Sequence, residues 1–509
     1  MFSKQSFFNQ VICIFCGALS TLTLEPYGYL PFIVFFSFGI FFVFKSDDSL
    51  RVFFRGLSFG FGWFFSGLYW IGSAFLIKSW IFQIILPFAL VLLPIFLGVL
   101  WGCVFYFSSK LSNIIGNKFI WLTILLSLVE FFRGYFLNFP WLMPSSIFSS
   151  NIYTLQSFSF VGAYSMNVIS MFLVILPLLL KSNRLMFVKI AVFIILPILS
   201  LFLLSSSRLT NKVEIKSKND FLITIVQPNI AQKVKWNRGL LKDHLEKLYQ
   251  FSRYEIEKIT HKKRLIIWPE TSFAGVYPRD ELLLMDLVNK VFSKDKDLSL
   301  FLGLIRNDNG EIYNSGILFN QNQNIQKIYD KNFLVPFGEY NPLRFFLNFL
   351  PNLASDVDFK EGRTKPIIAV NSSIDFMALI CYEIIFNNYI FKNLSDKTAL
   401  IINITNDAWF GNSIGPYQHF DFAKIRAVEF GIPVIRVANT GISGFINPYG
   451  EVIEKLELNI DGSKTFNLVD KLENTIFKTY GNSIFIFIVF YVFMINITLL
   501  KTIDRKQFL

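Results

Sequence analysis

Cys381 is the residue best suited to covalent chemistry in this 509-residue chain. The other three cysteines, Cys13, Cys16 and Cys103, lie inside apolar runs, so Cys381 has no disulfide partner in the polar stretch from about 208 to 480. An unpaired thiol there is either a reactive group or a buried structural one. It follows the apolar run 376–380 and opens Cys381-Tyr382-Glu383. A thiol with the usual pKa of about 8.5 is mostly protonated at neutral pH, so a nucleophile needs a base and a cation beside it. Two upstream motifs offer them. Glu270 follows Leu265-Ile266-Ile267-Trp268-Pro269, and a carboxylate at the mouth of a buried strand loses hydration, which raises its pKa and suits it to accept protons near neutrality. Lys331 sits in Tyr329-Asp330-Lys331-Asn332-Phe333-Leu334-Val335-Pro336-Phe337-Gly338-Glu339, where an ammonium can stabilise an oxyanion. A charged residue at a strand end is usually solvated or ion-paired, and a lone buried cysteine usually packs as a small hydrophobe. The conjunction of all three carries more weight than any one.

The elements that must position these groups are legible in outline. Runs at 221–226, 265–268, 298–304, 367–370, 376–380 and 400–404 are rich in Ile, Val, Leu and Phe and read as buried strands. Leu241, Leu245, Leu248 and Ile256 recur at helical spacing, and 417–430 reads as a helix closed by Gly431 and Pro433. Strands alternating with helices indicate an α/β domain with its chemistry at strand ends.

The rest of the chain is apolar. Hydrophobic residues make up 53% of the sequence, with 62 Phe, well above the usual soluble composition. Stretches near 5–24, 29–45, 53–76, 84–107, 118–135, 156–180, 186–205 and 482–500 are each about long enough to cross a hydrocarbon core. The first is followed at once by others and reads as a retained helix, not a cleaved signal. Of 48 Lys and Arg, 34 lie between Arg208 and Lys478 beside 31 acidic residues, leaving that stretch near neutral. With the N-terminus in the cytoplasm, twelve of the other 14 basic residues fall on that side, as the positive-inside rule requires. The +12 net charge thus reports membrane orientation and calls for no nucleic-acid partner. The expected organisation is a membrane domain of seven helices over 1–207, an extracytoplasmic catalytic domain over 208–480, and a last transmembrane helix with a short cytoplasmic tail over 481–509.

Trp268-Pro269-Glu270, the Tyr329–Glu339 motif and Cys381-Tyr382-Glu383, in this order, resemble the Glu–Lys–Cys triad of the nitrilase superfamily, whose members share an α-β-β-α sandwich. The flanking apolar helices make the chain similar to that superfamily's membrane-bound branch, the bacterial apolipoprotein N-acyltransferases. Val226-Gln227-Pro228-Asn229-Ile230 with Lys235-Trp236, Asn406-Asp407-Ala408-Trp409-Phe410-Gly411, Gly415-Pro416-Tyr417-Gln418-His419 and Arg436-Val437-Ala438-Asn439-Thr440-Gly441 match further motifs. Gly67-Leu68-Tyr69-Trp70 and Phe139-Pro140-Trp141 resemble its membrane segments. The resemblance implies a polytopic helical membrane domain of about eight spans joined to a nitrilase-like sandwich in the periplasm, in the inner membrane. It implies that Cys381 takes an acyl chain from a phospholipid, typically sn-1 of phosphatidylethanolamine, and passes it from a thioester to the α-amine of diacylglyceryl-cysteine in a lipoprotein. Glu270 would be the base, and Lys331 with a backbone N–H near Tyr382 would hold the oxyanion. Glu339 would orient Lys331 or the base, Tyr382 and Glu383 would shape the pocket, and Trp236 would contact lipid. No cofactor or metal is expected, and a monomer is.

A thiol that meets acyl chains needs an apolar route. Leu343-Arg344-Phe345-Phe346-Leu347-Asn348-Phe349-Leu350-Pro351 is unusually apolar and reads either as an interfacial lid, with Phe346 and Phe349 against lipid, or as a core helix. Glu130 and Arg133, three apart at the end of the fifth stretch, read as a functional intramembrane pair or a structural one at the interface. Cys13 and Cys16 read as packing. The rival to acyl transfer is a membrane-anchored nitrilase-type amidase hydrolysing a small amide with the same triad, although one helix would anchor it. A transporter carrying a sensor domain would need several midplane charges or helix breaks, and few are present. A Cys–His hydrolase would have His419 as its only candidate base, since the other two histidines, His244 and His261, sit in polar helical contexts.

Overall fold

The computed structural model describes residues 4–77, 80–179, 184–259, 262–293, 297–342, 344–345, 352–353, 357–371 and 374–500. The polar stretch folds as two facing sheets. The first holds β1 (Ser217–Gln227), β2 (Lys263–Ile267), β3 (Phe273–Tyr277), β4 (Leu298–Asp308), β5 (Glu311–Phe319) and β6 (Ile325–Asp330). The second holds β7 (Ile367–Asn371), β8 (Ile374–Ile380), β9 (Thr398–Thr405), β10 (Val434–Ala438), β11 (Ser443–Ile446) and β12 (Val452–Leu456). β13 (Gly462–Val469) then returns to the edge of the first. The orders are β13-β1-β2-β4-β5-β6, with β3 beside β4, and β12-β11-β10-β9-β8-β7. β1, β2 and β4 run parallel, as do β8, β9 and β10, with Ile380 opposite Ile404 and Ile404 opposite Val437.

Alternation along each strand explains why the central runs are apolar throughout. In β2, Leu265 and Ile267 join the core shared with the second sheet, while Ile266, and Trp268 just beyond it, pack towards the helices Leu241–Lys258 and Glu281–Phe292. Phe301 of β4 meets Phe376 of β8 across the sheets, with ring centroids 5.0 Å apart. Strands buried on both faces need no polar side, so period-two alternation vanishes from the sequence. The helix Gly415–Phe430 packs on β10 and β11 and ends where the sequence indicates, at Gly431 with φ +63°. The expected α-β-β-α layering is therefore present. β3, β5, β6 and β10 to β13 were not singled out from the sequence.

All eight apolar stretches contain helix: Lys4–Ser20, Ile33–Val43, Ser49–Leu68, Trp80–Ser112, Lys118–Tyr135, Phe158–Leu179, Leu196–Thr210 and Ser483–Leu500. Among the described residues, three helices are long and apolar enough to cross a membrane: Phe82–Ser112, Phe158–Leu179 and Phe187–Thr210. Phe7–Thr23, Leu30–Val43 and Ser483–Thr498 are shorter apolar helices. Eight spans thus exceed what length and hydropathy alone establish.

Glu130 and Arg133 form an ion pair buried inside the protein, at 0% and 1% exposure. Glu130 also accepts from Trp101 Nε1 at 3.0 Å, and Arg133 donates to the Phe139 carbonyl at 2.6 Å. The pair thereby pins the loop after its own helix, and every charge in it has a partner. Cys13 and Cys16 are buried and unbridged, as packing residues are. Phe346 and Phe349 lie outside the described residues; their neighbour Phe345 is 92% exposed.

Candidate active site

Three strands deliver the three residues singled out as a candidate triad. Glu270 comes three residues after β2, Lys331 directly after β6, and Cys381 directly after β8. The backbone around Glu270 runs so close to β4 that a Cβ on Gly303 would fall 2.7 Å from Glu270 Cα and from the Pro269 carbonyl oxygen. Only glycine admits this approach.

Glu270 and Lys331 meet in a buried polar cluster. Lys331 Nζ lies 2.8 Å from Glu339 Oε2 and 3.8 Å from Glu270 Oε1. Asn314, on β5, donates from one amide nitrogen to Glu270 Oε1 at 2.7 Å and to Glu339 Oε1 at 2.9 Å. The Val335 N–H donates to Glu339 Oε2 at 2.9 Å. Burial alone would lower the Lys331 pKa, but the carboxylates of Glu339 and Glu270 outweigh it and keep the ammonium charged. Burial raises the Glu270 pKa, opposed by Lys331 and reinforced by Glu339. The cluster therefore holds a fixed cation beside a carboxylate ready to accept a proton.

Cys381 faces both. Its thiol is pushed up to about 12 by burial and then by the charge of Glu270, with Lys331 pulling the other way. It therefore rests protonated at neutral pH. Its backbone lies in the left-handed region at φ +53°, which costs a non-glycine residue of order 1–3 kcal/mol unless the surroundings enforce it. They do. The Cys381 carbonyl accepts from Asn403 Nδ2 at 3.1 Å and lies 3.3 Å from His419 Nε2. Arg436 lies 3.0 Å from His419 Nδ1 and 2.6 Å from Asp407 Oδ2, all fully buried. Burial and then Arg436 lower the His419 pKa. Its Nδ1 lies 2.9 Å from Asp407 Oδ1, and its Nε2 is turned to the Cys381 carbonyl. His419 thus holds the main chain of Cys381. This removes the Cys–His hydrolase reading.

Glu383, expected with Tyr382 to shape the pocket, is turned inward. It is fully buried and accepts from the N–H groups of Ile380 (2.7 Å), Asn332 (2.6 Å) and Phe333 (3.1 Å) and from the Tyr329 hydroxyl (2.8 Å). One carboxylate therefore ties the turn bearing Cys381 to the segment bearing Lys331. Glu339, expected to orient Lys331 or the base, accepts from Lys331 Nζ and is linked to Glu270 through Asn314. The Tyr382 hydroxyl donates to the Asn138 carbonyl, in the loop that Arg133 pins. Trp236 is 42% exposed. Next to it Lys235 is buried, and its Nζ donates to the main-chain oxygen of Glu270 at 3.1 Å.

The helical segments complete the setting. Trp70 and Trp141 pack together at 5.0 Å; Trp70 lies 4.4 Å from the Phe410 ring and Trp141 5.6 Å from the His419 ring. Gln418 accepts from Trp70 Nε1 at 3.1 Å and donates to the Gly67 carbonyl at 3.2 Å. Asn314, Lys235 and the His419–Asp407–Arg436 frame were not picked out as site residues from the sequence. A signal existed for Asn314, since Asn314-Ser315 interrupts an apolar strand at two consecutive buried positions.

The family model described as "Carbon-nitrogen hydrolase" matches residues 222–485, and that described as "Apolipoprotein N-acyltransferase N-terminal domain" matches residues 16–176. A relative from Rickettsia prowazekii (strain Madrid E), named apolipoprotein N-acyltransferase, is 31% identical and covers 98% of this chain and 99% of its own length. Relatives of the same name from Rickettsia bellii (strain RML369-C) and Rickettsia typhi (strain ATCC VR-144 / Wilmington) are 33% and 32% identical over 98% and 97% of this chain, each along 99% of its own length. Similarity of this extent takes in the helical part and the two-sheet part together, and the chain belongs to the apolipoprotein N-acyltransferase family.

Proposed function

We propose that the chain transfers an acyl group from a phospholipid, through a thioester on Cys381, to the N-terminal α-amine of diacylglyceryl-cysteine in lipoproteins. The observation that carries this reading is a buried thiol set against a carboxylate and a pinned ammonium, in one chain with apolar helices. Glu270 takes the thiol proton as Sγ attacks the ester carbonyl. Lys331, fixed by Glu339, faces the oxyanion of the tetrahedral intermediate. Collapse expels the lysophospholipid alkoxide, which takes the proton back from Glu270. The lipoprotein amine then attacks the thioester, and Glu270 moves a proton from nitrogen to the departing thiolate. Trp236, half-exposed beside the site, contacts the lipid portion of a substrate. The donor is phosphatidylethanolamine used at sn-1.

In this reading residues 1–207 supply seven spans and 481–509 the eighth, with both termini in the cytoplasm. Residues 208–480 then lie in the periplasm, and the enzyme acts as a monomer in the inner membrane. Phe346 and Phe349, outside the described residues, belong to a lid at the interface.

The test is intact mass of the purified protein after incubation with phosphatidylethanolamine, beside Cys381→Ala. A hydroxylamine-sensitive acyl mass on the wild type alone, discharged by a diacylated lipopeptide, is the expected result. No adduct, together with turnover of a small amide, would make the protein an anchored amidase.

A further inference from the structure

Two buried lysines stand near Cys381, and they are held in opposite ways. Lys331 sits between two carboxylates and is fixed as an ammonium. Lys235 ends the short turn Gln232–Lys235 at 1% exposure, and its one hydrogen bond runs to an uncharged acceptor, the Glu270 main-chain oxygen. Among the described residues no carboxylate forms an ion pair with Lys235 Nζ, so nothing there fixes it as an ammonium. One N–H satisfies that carbonyl in either state.

The chemistry above leaves one proton without a destination. An α-amine with a pKa of about 7.7–8.0 arrives mostly as an ammonium at neutral pH. Aminolysis of the thioester by an ammonium gives amide, thiol and one surplus proton: the C–S bond breaks, the C–N bond forms, one proton returns to sulfur and the other must leave. Glu270 can carry one proton at a time. Building on the acyl-transfer reading, we propose that Lys235, as a neutral amine, takes the first proton of the incoming ammonium by way of Glu270, freeing that carboxylate for the second. Lys235 then loses its proton to solvent once the product has left. It is a positioning residue for charge, acting through Glu270.

The groups facing Lys235 agree with this role. Burial lowers its pKa to about 7, offset in part by Glu270 and Cys381. From the helix Leu241–Lys258, His244 faces it too, with a pKa that burial also lowers. The first half-reaction releases no surplus proton, because the thiol proton ends on the lysophospholipid. Lys235 is therefore needed in the second half alone.

The two halves can be timed separately on the full-length protein. Phosphatidylethanolamine loads the thioester, and a synthetic diacylated lipopeptide discharges it, both followed by intact mass from pH 6 to 9 for wild type, Lys235→Met and Lys235→Arg. Loading should stay within about twofold of wild type, while discharge near pH 7.5 slows by roughly tenfold or more in both variants, within the range for a lost acid–base group. The defect should shrink towards pH 9, where the acceptor amine arrives neutral. Equal slowing of both halves, a discharge defect constant with pH, or full rescue by arginine would overturn the proposal, because each fits a structural or purely cationic role. If Lys235→Met fails to fold, Lys235→Arg alone decides. A wild type that never loads would remove the acyl-transfer reading itself, whereas a wild type that loads and variants that discharge normally would sink only the role of Lys235.

Discussion

Asn314 and Glu270 are joined by a 2.7 Å hydrogen bond from amide to carboxylate. The same nitrogen reaches Glu339, so one NH2 group spaces two carboxylates around Lys331. Asn314→Asp would replace that donor with a third buried negative charge. We expect thioester formation to fall by at least about a hundredfold, since Glu270 would then hold its proton too tightly. Asn314→Ala should cost about 1–3 kcal/mol of stability for the acceptors left unpaired. Acyl-enzyme accumulation and thermal melts check the two.

Glu339 acts on both partners at once. Its charge helps keep Lys331 an ammonium and adds to the upward shift at Glu270. Glu339→Gln should lower the rate of thioester formation through a looser Lys331. It should also move the acid limb of the pH profile to lower pH, because Glu270 ionises more easily. A variant with a reduced rate and an unmoved limb would show that Glu339 does not face Glu270.

The pH profile of the wild type carries its own sign. In the proposed reaction Glu270 works deprotonated, and burial raises its pKa above 4.5, so loading should fail on acidification at a higher pH than an ordinary carboxylate would give. Stability follows another group. Glu383 is raised from 4.5 to about 7 by burial, its hydrogen bonds notwithstanding. Its contribution is full below pH 4.5 and is lost as pH rises through about 7, so thermal melts should show that component declining across this window.

Gly303 is a steric test of the Glu270 position. Gly303→Ala would place a methyl 2.7 Å from backbone atoms on both sides of the Pro269–Glu270 bond. Backbone cannot yield as a side-chain tip can, so β2 and β4 must part. Loading by phosphatidylethanolamine should drop by about tenfold or more, with Cys381 still alkylated by small reagents in the folded protein.

Much of this was legible because parallel strands buried on both faces leave long Ile/Leu/Val runs, and a charged residue just past such a run stands out. Glu270 and Cys381 stand out that way; Lys331 follows an antiparallel edge strand without such a run and was legible only from its motif. The edge strands were harder. In β12 only Leu456 is buried, so Val452-Ile453-Glu454-Lys455-Leu456 carries little periodic signal. That Glu383 faces inward, onto Ile380 and Asn332, depends on a 3-10 turn that composition does not specify. His419 was legible as a candidate base but not as a group aimed at a carbonyl. Lys235 was hidden because a lysine beside an exposed tryptophan looks like surface.

Tyr382 bonds to a loop of the helical part, and the His419 ring that steadies Cys381 rests against Trp141. The nucleophile is thus framed by two stretches of chain that must change in step. A hybrid enzyme taking its sheets from one relative and its helices from another should retain a competent cysteine only if the seam around 67–70 and 136–148 travels with 407–422. Substitutions that alter one side of that seam would have to be answered on the other, which ties the drift of the lipid-facing half to that of the chemical half.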